Sequence, residues 1–152
     1  MHPVTVTTYT VVVALHIIAV VAAYGLPLSA PLLVPYVRRR NPEALPGLHA
    51  AQYRLNNVLT GPFTVLLLAF GIYLASDGHR WGDPFVSVGV AAVAIIAVVG
   101  GAVVVPAVKR LAALEPSSAE YATVYRRYMA AESFLGAVVL VTIFVMAAKP
   151  FS

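Results

Sequence analysis

Five residues in otherwise apolar stretches carry side chains able to bind a ligand, hold a metal or move a proton: His16, His49, Arg54, Asn57 and Glu132. Ionisable groups inside a membrane helix are costly, so they mark either a functional site or a structural pair. His16 stands alone in the run from Val11 to Val34, which is dominated by Val, Ala, Leu and Ile. An imidazole placed there either hydrogen-bonds to a neighbouring helix or ligates a haem iron, the only metal in question for so isolated a group. The other four form a second candidate cluster. Arg54 and Glu132 are expected to form an intramembrane ion pair, with Asn57 and Tyr128 completing the hydrogen bonds. The alternative is that His49, Arg54 and Asn57 line a polar pocket for an anionic ligand, with Glu132 as proton acceptor. His49, Gln52 or Tyr53, Asn56 and Thr60 follow one helical stripe, and Arg54, Asn57, Gly61 and Thr64 follow the adjacent one. Stripes this polar are expected to face protein, a pocket or another subunit.

The elements that must position these groups follow from composition. Of 152 residues, 61% are hydrophobic and 11% charged, with a mean hydropathy of +0.87, whereas an ordinary soluble domain is about 25% charged. A soluble globular fold is excluded. A membrane helix needs about 20 apolar residues, so the chain is read as an all-α bundle of four transmembrane helices in one domain, with spans at about 8–35, 48–75, 85–108 and 119–148. Pro27, Pro31 and Pro35 are expected to bend span one, so that its part beyond Gly25 tilts or unwinds. Ala97 with Gly101, and Ser133 with Ala137, have the four-residue spacing of a close helix contact. The absence of cysteine excludes a disulfide, a thiolate nucleophile and an iron–sulfur cluster.

Basic residues concentrate in the first and third loops, at Arg38, Arg39, Arg40, Arg54, Lys109, Arg110, Arg126 and Arg127, against Arg80 and Lys149 on the other side. The positive-inside rule then puts both termini outside a bacterial cytoplasmic membrane, with the lipid bilayer as principal partner and no nucleic-acid motif. A homo-oligomer or a larger membrane complex is the further partner expected. In this topology His16 lies toward the outer leaflet and His49 toward the inner one. A haem shared between them is disfavoured, because opposite leaflets are about 20 Å or more apart in a core of roughly 30 Å. His16 is left as a single protein ligand, with His2 or His79 as the only outer-side candidates for a second. Tyr9, Tyr24, Tyr73 and Phe144 could wall a flat cofactor or simply anchor the helices.

Ala14-Leu15-His16-Ile17-Ile18-Ala19-Val20-Val21 in span one and Val145-Met146-Ala147-Ala148-Lys149-Pro150-Phe151 at the C-terminus resemble the ends of a family of small four-span bacterial membrane proteins of unknown function. The chain is also distantly similar to the HemJ-type membrane protoporphyrinogen oxidases, through Arg54-Leu55, Gly61-Pro62-Phe63, Gly71-Ile72-Tyr73-Leu74, and Arg127 followed by Glu132. That resemblance implies a four-span bundle, haem b and an oxidoreductase activity. His16, Arg54 and Glu132 carry over from its pattern. Val13, Ala23-Tyr24, the stretch Ser29 to Leu33 and Ala131 stand where that pattern has a Lys, a Trp, an Arg and an Asn, so the uncharacterised family is the closer fit. Two functions follow as expectations: a redox protein holding haem b or a porphyrin-like ligand at His16, or a non-enzymatic subunit or assembly partner of a larger membrane complex.

Overall fold

The computed structural model describes residues 6–148. They form an all-α bundle of four helices, Thr8–Arg40, Pro42–Asp77, Pro84–Leu111 and Ala119–Ala148, each long and apolar enough to cross a membrane. These are spans one to four of a multi-pass membrane protein. Leu32, Val65, Val98 and Phe144 point away from the bundle, a placement that lipid satisfies and water would not.

Span one starts at a capping box, in which Thr7 and Thr10 satisfy each other's backbone donors. It ends at Asn41 after Arg38, Arg39 and Arg40, whose charge complements the negative end of the helix. The expected unwinding beyond Gly25 does not occur, because the helix runs unbroken from Thr8 to Arg40 through all three prolines. Spaced four apart, each of the later two removes the donor for the carbonyl of the one before it, so the losses fall on one stripe. The remaining donors stay paired, as an apolar surround requires.

Span two begins earlier than its polar sequence suggests, with a 3-10 turn at Pro42–Ala44 and α-helix from Leu45. Its helix widens to a π-turn at Asn56–Thr60, where Gly61 N–H bonds to the Asn56 carbonyl five residues back. Span three does the same at Gly100–Val104, closed by Val105 N–H on Gly100. Both wide turns end two residues before a proline, Pro62 and Pro106. A proline supplies no N–H to the carbonyl four residues before it, and the wide turn lets the backbone re-pair without leaving the helix.

Packing divides into two clusters. The larger, at the end carrying the first and third loops, is built on Val34, Leu45, Val108, Leu111, Tyr121 and Tyr128. The smaller joins Ala19, Ala23 and Tyr24 of span one to Leu67 and Val139. The small-residue seam expected from Ala97, Gly101, Ser133 and Ala137 is not used, since all four are exposed. Gly89 takes that role instead, with the Met146 side chain pressed against its open face, while Leu135 reaches Gly100 and Leu28 reaches Gly136.

Candidate functional site

The structure separates the polar residues into two groups, one around His49 and Glu132 and one around His16. In the first group, His49 and Gln52 lie one turn apart on the buried face of span two, and Tyr121, Tyr128 and Glu132 line the facing side of span four. His49 is fully buried and Glu132 is only 4% exposed. Tyr121 Oη lies 2.9 Å from His49 Nε2, His49 Nδ1 lies 3.0 Å from Gln52 Oε1, and Gln52 Nε2 donates to Tyr128 Oη at 3.3 Å. The chemistry of these atoms fixes the proton positions. Gln52 Oε1 can only accept, so a neutral His49 carries its proton on Nδ1 and accepts the Tyr121 O–H at Nε2. Tyr128 accepts from Gln52, which leaves its own proton free for the Glu132 carboxyl beside it. Every donor in the series therefore points the same way, from Tyr121 toward Glu132.

A pocket with room for roughly one water molecule opens beside this series, lined by Leu26, Pro27, Ala30, Gln52, Asn56, Tyr128 and Glu132. The expected Arg54–Glu132 ion pair is not formed. Among the described residues the one ion pair is Arg110 with Glu120, at the third loop. Arg54 follows Gln52 by two residues, about 200° around a helix, so with Gln52 turned inward Arg54 is exposed, and so is Asn57. The cluster of His49, Arg54, Asn57 and Glu132 thus splits: His49 and Glu132 join one buried series, Arg54 and Asn57 face outward, and Gln52, Tyr121 and Tyr128 complete the series. Tyr121 escaped the sequence reading, although Tyr121, Tyr125, Tyr128 and Glu132 have the three- and four-residue spacing of a single helix face.

Two cations cap this end. Arg38 lies over the Tyr125 ring, 4.4 Å from its centroid, and Lys109 lies 5.9 Å from the Tyr53 centroid. Residues from the first and third loop ends thereby share one end of the bundle.

The second group centres on His16, which is half-buried between spans one and two. A Cβ at Gly71 would sit 3.5 Å from His16 Cε1, so the missing side chain of Gly71 is what lets the ring lie against span two. The Leu67 backbone faces the ring, but His16 Nδ1 is buried without a hydrogen-bond partner. Tyr24 and Thr60 also hold buried hydroxyl oxygens with no partner, and the Tyr24 hydroxyl is turned toward Thr64. All three of these atoms belong to spans one and two.

His16 and Ala30 are 14 residues apart in one helix, roughly 21 Å at 1.5 Å per residue. Ala30 lines the Glu132 pocket, so the two groups are separate sites. With both of its nitrogens engaged, His49 has no free position for a metal. His79 is exposed in the turn after span two, and His2 and Lys149 lie outside the described residues. No group of three or more His, Cys, Asp or Glu suited to a metal ion occurs among the described residues. Comparison with family models, curated proteins and solved structures finds no match to the chain.

Proposed function

We propose that this multi-pass membrane protein holds a porphyrin-like ligand, haem b, at His16 and serves a redox role in a bacterial cytoplasmic membrane. The single observation behind this reading is the His16 ring itself, set against Gly71 with a buried Nδ1 that no protein atom satisfies. His16 is the residue that would hold such a group, with one imidazole nitrogen to offer it. A ligating imidazole also needs an acceptor such as a carbonyl for its other nitrogen, and the Leu67 backbone faces the His16 ring. Bound haem would supply a one-electron centre. The chain's own part is to hold the imidazole against Gly71, with the apolar Ala19, Ala23 and Leu67 cluster following along the same two spans, and to keep water from that half of the bundle. The distant likeness to HemJ-type oxidases, carried by His16, Arg54 and Glu132, supports the same assignment. Both termini are placed outside by the positive-inside rule, with the Arg38–Arg40 and Lys109–Arg110 loops in the cytoplasm. An optical spectrum of the protein produced with haem precursor tests the reading, and a spectrum without a Soret band refutes it.

One observation favours a second reading, a non-enzymatic subunit or assembly partner, either as a homo-oligomer or within a larger complex. Arg54 and Asn57 are exposed on span two and make no ion pair or side-chain hydrogen bond among the described residues. A polar outward face on a membrane helix suits a partner helix. Under this reading a mild-detergent preparation runs larger than the monomer and shrinks on replacing Arg54 and Asn57 by Leu; a parent that runs as a monomer contradicts it.

A further inference from the structure

The basic end of span one carries two parallel stripes. Pro31, Pro35 and Arg39 follow one another at four-residue intervals, and Leu32, Tyr36 and Arg40 do the same beside them. Each stripe passes from apolar to cationic along the helix, and the six residues line a shallow groove open along the surface of this one helix. The groove faces away from the bundle, with Leu32 79% and Tyr36 62% exposed. Its charges are uncommitted. Arg38 is drawn onto Tyr125, whereas Arg39 and Arg40 form no ion pair among the described residues.

We propose that this groove is a binding site for one anionic glycerophospholipid. Arg39 and Arg40, one residue apart at its mouth, present two guanidinium groups to a single phosphate, and such groups bind phosphate by charge-assisted, bidentate hydrogen bonds. One turn deeper, Tyr36 places an amphipathic ring at the level of the glycerol and ester groups, where aromatic residues gather in membrane proteins. Deeper again, Pro31, Leu32 and Pro35 offer an apolar wall to the start of an acyl chain. The order of chemistry along the groove matches the order along a phospholipid. Arg126 and Arg127, at a comparable level on span four, are also exposed but do not border the groove, and so serve as the comparison for diffuse attraction.

The full chain, purified in mild detergent and loaded from mixed phosphatidylglycerol and phosphatidylcholine micelles, is examined by native mass spectrometry for retained lipid. The parent is expected to retain one phosphatidylglycerol in preference to phosphatidylcholine. Arg39→Ala with Arg40→Ala should lower that preference by roughly ten- to thirty-fold, since each basic residue near a lipid surface contributes about a factor of five. Arg126→Ala with Arg127→Ala should leave it within about two-fold. Leu32→Trp, which keeps the charges but fills the groove, should lower retention several-fold. Equal retention of the two lipids by the parent, equal losses in the two double variants, or unchanged retention in Leu32→Trp would each overturn the site.

Discussion

The Tyr121 hydroxyl meets His49 Nε2 at 2.9 Å across 72 positions of sequence, and neither side chain has any exposure to solvent or lipid. This contact ties span two to span four at the end that carries the basic loops. The tautomer it requires is set from the other side of the ring, where Gln52 Oε1 can only accept from Nδ1.

Tyr121→Phe leaves His49 Nε2 buried without a donor, and an unsatisfied buried group of this kind costs about 1–3 kcal/mol. The expected loss is in that range, read by thermal or denaturant unfolding in detergent. Tyr125→Phe removes a hydroxyl outside the hydrogen-bonded series and should cost less than half as much. Equal losses at the two positions would remove the His49–Tyr121 bond from its assigned role.

Arg54 and Glu132 should behave as independent sites. Glu132→Ala opens the pocket and deprives the Tyr128 O–H of an acceptor, at about 2 kcal/mol or more, whereas Arg54→Ala should change stability by no more than about 0.5 kcal/mol. In a double-mutant cycle the coupling should stay below about 0.5 kcal/mol. A coupling of several times that value would restore the ion pair.

The four spans were legible in the sequence because a 61% hydrophobic chain with 11% charge leaves lipid as the only solvent for its surface. Three placements were not. Arg54 looked like a partner for Glu132 because both are charged and at one depth, but the side of the helix that faces inward is decided by packing, and Gln52 took it. The prolines of span one looked disruptive, yet their four-residue spacing confines the lost bonds to one stripe. The wide turns before Pro62 and Pro106 follow from a proline in a helix that cannot leave its backbone unpaired, a constraint stronger than the Ala- and Val-rich pattern around them. His16 was visible at once as a lone imidazole, whereas its packing on Gly71 depends on the register of spans one and two, which apolar residues alone leave open.

Gly89 should tolerate Ala better than Leu. An added Cβ meets the Met146 Cε methyl, the far end of a flexible side chain that can swing aside, so Gly89→Ala is expected to cost no more than about 1 kcal/mol. Gly89→Leu should force spans three and four apart, at about 2–3 kcal/mol. The two unfolding midpoints check this, and similar values would mean that the helices do not meet there.

The Arg110–Glu120 pair at the third loop should matter little. Its side chains are 63% and 49% exposed, and exposed pairs contribute about 0–1 kcal/mol, less at high salt. Arg110→Ala should therefore shift stability by under about 1 kcal/mol, with the difference vanishing in high salt; a larger, salt-independent loss would show that the pair does more than join the loop ends.

The most direct measurement is the absorption spectrum of the full chain purified after expression with haem precursor, alongside His16→Ala and His49→Ala. The parent and His49→Ala should show a Soret band that responds to reductant, and His16→Ala should lose it. Absence of the band in the parent, or an undiminished band in His16→Ala, would contradict haem binding at His16.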